Sequence, residues 1–367
     1  MNALALVFAG SLASLGTTRT AQPTAAPPAP VHNAKLVTRA VSPGALSAEI
    51  AREIGSAGPT WIGWSQPLVA GKHRMCCFGN FSGKFSDEAL CCGGCALERD
   101  SSFTTGDDEG RSVQLEGSRA LVVLMRAVRG HITKIRALDE RCAVDAGGLP
   151  FVWLTGVRPE ESVAFLTSLA RKLEDDGSSE DAAQSALAAI ALTAHASADD
   201  ALEGLVARGE PRELRKQAAF WIGNSRGRRG FEILKASLAD PEDGFRKHLT
   251  FAFSQSPVPD ALDVLVAMAR KDRDGEVRGQ ALFWLAQKAA NKAAETIQDA
   301  IRDDPDEDVK KKAVFALSQL RGDLAVRELI RVARTNRNPE VRKQAIFWLG
   351  QSRDPRALTF IEEILSR

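Results

Sequence analysis

The sequence predicts a mainly α-helical protein, in which a C-terminal α-solenoid of helical hairpins follows a small Cys-rich α+β domain. Three observations carry this. One string recurs five times, as LRKQAAFWIGNS (214–225), FRKHLTFAFSQS (245–256), VRGQALFWLAQK (277–288), VKKKAVFALSQL (309–320) and VRKQAIFWLGQS (341–352), with its phenylalanines 31, 32, 32 and 32 residues apart. Between copies lies a second amphipathic segment, such as DALDVLVAMARKD or AVRELIRVART, so each unit holds two helices, and a fixed period of that length is the signature of a stacked helical array. Upstream, the pattern changes to short apolar runs around turn residues, and five of the six cysteines crowd into residues 76–95.

The elements follow in chain order. Ala3 to Gly16 is apolar and small, too short to cross a bilayer as a helix, and has the form of a signal-peptide core with cleavage near residues 16–21, although no Lys or Arg precedes it. This gives residues 1–21 as a signal peptide and a periplasmic or secreted location, with no integral membrane span. Residues 22–45, including QPTAAPPAP, read as a Pro/Ala-rich linker. Residues 46–157 form the Cys-rich α+β domain. Ala45–Gly55 is a short helix and TWIGW (60–64) a strand. RALVVLMRAV and HITKIRAL are two strands around Arg129-Gly130, and GGLPFVWL (147–154) is a further strand. From residue 158 to 367 the signal is helical, opening on Pro159-Glu160-Glu161, where Pro and acids suit a helix start. AAQSALAAIALT (182–193) is a degenerate earlier copy of the repeated string.

Composition excludes some functions. Of 367 residues, 48 are Lys or Arg and 47 Asp or Glu, and the balance within 181–367 is 30 to 28, so no field favours nucleic acid. The basic residues that follow each acidic turn (Arg215, Arg246, Arg278, Lys310 and Arg342) are therefore expected to pair with those acids between units.

The units DGEVRGQALFWLAQ (274–287) and NPEVRKQAIFWLGQ (338–351) resemble short bacterial HEAT repeats of the phycobilin-lyase-like type, whose pattern is an acidic turn followed by V-R-x-x-A-x-x-A-L-G. The resemblance covers about residues 180–367 and implies a scaffold most often used to bind proteins. The di-iron hydroxylases built from such repeats need His-Glu pairs, and none of the five histidines forms one on a repeat helix. No nucleophile elbow, P-loop or HExxH motif occurs either, so no catalytic constellation is expected.

With ~100° per residue, positions 1, 5, 8, 9 and 12 of each repeated helix fall on a core-facing wedge. Leu285 and Leu349, at position 9, should be buried. Position 8 alternates Trp221, Ala252, Trp284, Ala316, Trp348, consistent with large and small residues interdigitating. Position 7 lies away from the wedge and is Phe220, Phe251, Phe283, Phe315 and Phe347; one turn on, position 11 is Asn224, Gln255, Gln287, Gln319 and Gln351. An aromatic beside a carboxamide at each step is suited to hold an extended protein or peptide segment on a concave face. The competing reading is that the rings fill gaps between repeats. Cys76, Cys77, Cys91, Cys92, Cys95 and Cys142 are candidates for disulfides if the chain is exported. The alternative is a redox or metal role, with zinc on Cys77, Cys91, Cys92 and Cys95.

Overall fold

The structure, a computed structural model, describes residues 27, 30–55, 58–70, 95–98, 119–140, 142–175, 180–320 and 323–366. Its N-terminal part is built on a five-stranded sheet. The strands are β2 (Lys35–Ala40), β3 (Thr60–Pro67), β5 (Ala120–Val128), β6 (His131–Asp139) and β8 (Pro150–Thr155), in the order β2-β8-β3-β5-β6. Strands β2, β8 and β3 run parallel, and β3, β5 and β6 form an antiparallel meander. Arg129 and Gly130 both take positive φ (50° and 86°), the backbone needed for a two-residue hairpin turn that follows strand twist.

ALVVLMRAV is apolar without alternation because the sheet is covered on both faces. Leu121, Val123, Met125, Trp64, Val152 and Leu154 face one core, while Val122, Leu124, Trp61, Phe151 and Trp153 face the other. The second core is closed by a small parallel sheet of β1 (Val31–His32), β7 (Val144–Asp145) and β4 (Cys95–Ala96). The first is closed by α1 (Leu46–Ile54), α2 (Pro159–Asp175) and α3 (Glu180–Leu192).

Residues 31–40 therefore correct the linker expected over 22–45, because they supply β1 and the edge strand β2. Every residue of β2 is exposed, so it carries little of the apolar signal that marks a strand in sequence. The cysteine segment 75–94 lies outside the described residues.

Beyond the sheet the chain is a double row of helices. One row, the A row, comprises α4 (Ala196–Leu205), α6 (Gly227–Ala236), α8 (Asp260–Lys271), α10 (Ala290–Asp303), α12 (Asp323–Thr335) and α14 (Pro355–Leu365). The B row continues from α3 through α5 (Arg212–Ser225), α7 (Asp243–Gln255), α9 (Gly275–Lys288), α11 (Glu307–Ser318) and α13 (Pro339–Gly350). The B helices are the repeated strings. Asp274, Asp306 and Asn338 cap three of them by accepting N–H groups of Val277, Asp308 and Glu340 at 3.0, 2.9 and 2.8 Å. Leu285 and Leu349 are fully buried, as are the Ala residues at position 5.

Sheet and array share one continuous core. The end of β3 is stitched to the α3–α4 turn. Leu68 bridges Thr193, Ala194 N–H donates to Pro67 O at 2.8 Å, Val69 N–H donates to Leu192 O at 2.9 Å, and Gln66 Nε2 donates to Thr193 Oγ1 at 2.6 Å. This explains why α3 is a degenerate repeat. The sheet covers the face that later B helices leave open, so Ala188 and Leu192 stand where Phe and Gln recur, and both are buried.

Candidate interaction surface

Helical spacing places position 7 of every B helix on one line, and stacking brings those positions within ring contact. Phe220 and Phe251 lie 5.5 Å apart and within 10° of parallel; Phe283 and Phe315 lie 5.9 Å apart and within 6°. Between these pairs a tryptophan takes over. Phe251 packs on Trp284 and Phe315 on Trp348, each at 4.9 Å, and each tryptophan also meets the phenylalanine of its own helix. The result is one unbroken aromatic ladder from Trp221 and Phe220 to Phe347. Alternation at position 8 makes it continuous: a Trp receives the preceding ring, whereas Ala252 and Ala316 are too small to do so and the preceding Phe stacks on Phe instead. Gly223 permits the close approach of α5 and α7, since a Cβ there would lie 2.3 Å from Ala252 O.

Two expectations are revised by this geometry. The tryptophans do not point wholly inward; they are half-buried members of the ladder, and the indole Nε1 of Trp284 and of Trp348 is buried without a hydrogen-bond partner. Nor are all five phenylalanines freely exposed. Phe220, Phe251, Phe283 and Phe315 are half-buried by their neighbours, and Phe347 at the far end is 54% exposed. The single-helix projection missed this because the partner of each ring comes from the next unit.

The carboxamides flank the ladder. Asn224, Gln287 and Gln351 are exposed, and Gln255 and Gln319 half-buried. Two of them donate an N–H to the preceding serine, Gln255 to Ser254 at 2.8 Å and Gln319 to Ser318 at 3.1 Å, and Asn224 donates more weakly to the following Ser225 at 3.4 Å. On the other flank, one turn earlier, Lys216, Lys247, Lys311 and Lys343 pair with nearby acids. Glu276 serves both Lys247 on α7 and Lys312 on α11, and these two ammonium groups hold its carboxyl down to about 2.

The basic residues after the acidic turns are structural. Arg215, Arg246 and Arg278 reach Asp240, Asp272 and Asp304 of the following unit's turn at 2.5, 2.9 and 2.8 Å, with both partners largely buried. Arg246 and Arg278 also donate to carbonyls of the turn before their own helix. Burial pushes the Asp272 carboxyl up, but the Arg246 guanidinium and the Asp274 N–H together hold it below the ordinary aspartate range. Where the next turn has Asn336 in place of Asp, the helix carries Lys310 in place of Arg, and Lys310 makes no ion pair among the described residues.

His248, on α7, is a titratable group in contact with the ladder. Its ring meets Phe251 edge-on at 5.8 Å, its Nε2 is buried without a partner, and burial pushes its pKa down. Cys95 and Cys142 are buried in the second core and neither is a free thiol. Cys76, Cys77, Cys91 and Cys92 lie outside the described residues, and with them most of the alternative zinc set. Among the described residues no group of three or more His, Cys, Asp and Glu is placed to hold a metal ion, and no described helix is long and apolar enough to cross a membrane.

Stacked antiparallel helix pairs sharing a core, clasped unit to unit through their turns, define an α-solenoid. Residues 198–286 and 294–367 match the family model for HEAT repeats, and this part of the chain is a HEAT-repeat array. Two solved structures are similar. The complex of CpcE and CpcF of phycocyanin lyase from Nostoc sp. PCC7120 is 21% identical over 43% of this chain and all of that one, with a TM-score of 0.33. Human deoxyhypusine hydroxylase in complex with glycerol is 16% identical over 57% of this chain and 80% of that one, with a TM-score of 0.31. No curated protein matches the chain.

Proposed function

We propose that this protein is an exported, non-enzymatic scaffold whose HEAT array holds an extended segment of a partner protein along the Phe/Gln ladder. One observation carries the reading. The aromatic ladder stays open on five successive B helices, and it stops at α3, where the sheet covers the same face and the ladder positions become Ala188 and Leu192. Solenoids use such extended surfaces for binding. A row of half-buried rings that ends in the exposed Phe347 is apolar surface of the kind a partner can cover. Export is supported by the apolar stretch at Ala3–Gly16 and by Cys95 and Cys142, neither of which is a free thiol; disulfides among the six cysteines fit an oxidising compartment.

The test is selection of peptides from a displayed random library on the purified protein, followed by binding measurements with the double variant Phe347→Ser/Gln351→Ala. Both residues are exposed, so the fold should be unchanged by circular dichroism. Selected peptides should lose most of their affinity for the variant. Peptides that bind wild type and variant alike would refute a ladder-based site.

A further inference from the structure

The face at the C-terminal end of the array is built like the faces inside it. In the B helices, positions 2, 7 and 10 look toward the following unit. Arg215, Arg246 and Arg278 reach its Asp, Phe220 and Phe283 stack on its Phe, and Gly223 lets α5 approach α7. Among the described residues no further unit covers these positions of α13. Gly350 is exposed where Gly223, Ser254 and Ala286 are buried, and Ile346 at position 6 is half-buried where Ala219, Thr250, Leu282 and Val314 are fully enclosed. The A row shows the same contrast. Val326 and Ala333 of α12 are buried, whereas Leu358 and Leu365, 32 residues on in α14, are 60% and 81% exposed. A terminal unit that meets only water carries a polar outer face; this one carries Ile, Phe and Leu.

Two features of α13 define what fits the face. The first is charge. Arg246 and Arg278 each give Nη1 to carbonyls of the turn before their helix, and Nε and Nη2 to an Asp of the next unit. Arg342 makes the carbonyl half of this pattern, to Asn336 and Arg337, and its Nε and Nη2 have no partner among the described residues. That edge of a half-buried guanidinium matches a carboxylate bidentately. The second is the likeness of two helices. VRKQAIFWLGQS in α13 and LRKQAAFWIGNS in α5 share eight of twelve residues, including Arg at position 2, Phe-Trp at 7 and 8 and Gly at 10. The unit after α5 gives Asp240 to Arg215, Phe251 to Phe220 and the backbone of Ala252 to Gly223. The other Trp-bearing helix, α9, is followed by the same set, Asp304, Phe315 and Ala316.

We infer that the α13–α14 end is a docking site for a helical unit of a partner protein, whose turn gives an Asp to Arg342 and whose helix gives, eleven residues later, a Phe-Ala pair to Phe347 and Gly350. The spacing is that of Asp240 to Phe251 and of Asp304 to Phe315. Docking of this kind continues the aromatic row with a ring from another chain. Copies of this chain cannot stack head to tail here, because α2 and the sheet cover α3. The inference does not rest on the ladder as a peptide site.

The probe is a fluorescently labelled peptide of residues 240–255, the turn and helix that follow α5, held helical by a lactam staple. Anisotropy with the full chain is the readout. The peptide should bind, and Arg342→Ala or Phe347→Ser in the chain should each weaken it about tenfold or more. Asp240→Ala or Phe251→Ala in the peptide should do the same. An Arg342→Asp chain should prefer a peptide carrying Asp240→Arg over the unchanged one, a reversal that damage to the fold would not produce. Extended peptides selected for the ladder should keep their affinity for Arg342→Ala, so the two sites stand or fail separately. No binding of the helical probe, or binding indifferent to these substitutions, overturns the inference. Sedimentation of the chain as a dimer that Phe347→Ser returns to monomer overturns it too, since a second copy then occupies the face.

Discussion

Truncation of Phe251 separates a ladder that merely lies on the surface from one that also holds the repeats together. Phe251→Ala removes a half-buried ring with partners on three sides: Phe220 at 5.5 Å, Trp284 at 4.9 Å and the edge of His248 at 5.8 Å. Full truncation of a buried Phe costs about 3–5 kcal/mol, so a half-buried one costs roughly half of that. Two lost ring pairs add about 0.5–1.5 kcal/mol each. The expected loss is therefore about 2.5–5.5 kcal/mol. Phe347→Ala, at an exposed position with one ring partner, should cost less than about 1 kcal/mol. The assay is urea unfolding of both variants by circular dichroism, compared by midpoint because repeat arrays need not unfold in one step. Trp284 offers a local readout, since losing Phe251 uncovers its indole and should shift its emission to the red. Equal midpoint shifts for the two variants, or an unshifted Phe251→Ala, would refute the claim that the rings join successive units.

Four further outcomes follow from the geometry. Asp272→Ala leaves Arg246 buried without its carboxylate and should destabilise by about 3–5 kcal/mol. Because the Asp272 carboxyl titrates below its ordinary value in the folded chain, that contribution is complete above about pH 4 and disappears as pH falls through the folded value, so wild type and variant should converge in acid. Gly223→Ala sets a Cβ 2.3 Å from Ala252 O and should lower the thermal midpoint by several degrees, the α5–α7 spacing having to open; an unchanged midpoint would contradict the close approach. His248 is buried and its folded pKa lowered, so the unfolded chain binds the extra proton first; stability should fall as pH drops below about 6.5, and His248→Gln should flatten that slope in denaturant titrations. Denatured protein from an oxidising compartment should show no free thiol at Cys95 or Cys142 by alkylation mapping; labelling of both would argue against disulfides at these positions.

Much of the array was readable in sequence because the 32-residue period repeats the same burial at the same place. Val277, Ala281 and Leu285 mark the core face of α9 as surely as Val341, Ala345 and Leu349 mark that of α13. Arg215, Arg246 and Arg278 could be assigned to acidic turns for the same reason, whereas Lys310 and Arg342 make no such pair among the described residues. What a single helix cannot show is its neighbour. Trp284 and Trp348 project into the core wedge of a single helix, and only the adjacent helix brings Phe251 and Phe315 against them. The fusion of sheet to array was hidden for a related reason. Ala182, Ala183, Ala186 and Ala189 of α3 are all fully enclosed, and alanine in a helix leaves no trace of whether a helix or a strand encloses it. Edge strand β2 escaped because its residues are exposed and follow a Pro-rich run.

The clasps between units also set the mechanics of the array. From α5 to α9, each B helix is riveted to the next turn by an Arg–Asp pair shielded from water. Among the described residues the rivet is missing at Lys310 and Asn336, and Arg342 bonds only to the carbonyls of Asn336 and Arg337. Viewed as a spring, the solenoid has stiff coils and one compliant coil between α11 and α13. Bending strain from a bound partner, or pulling force along the axis, would concentrate at that coil. The α13–α14 hairpin, which bears the most exposed ring of the ladder, is thereby mounted on the joint that, from α5 onward among the described residues, lacks an Arg–Asp rivet.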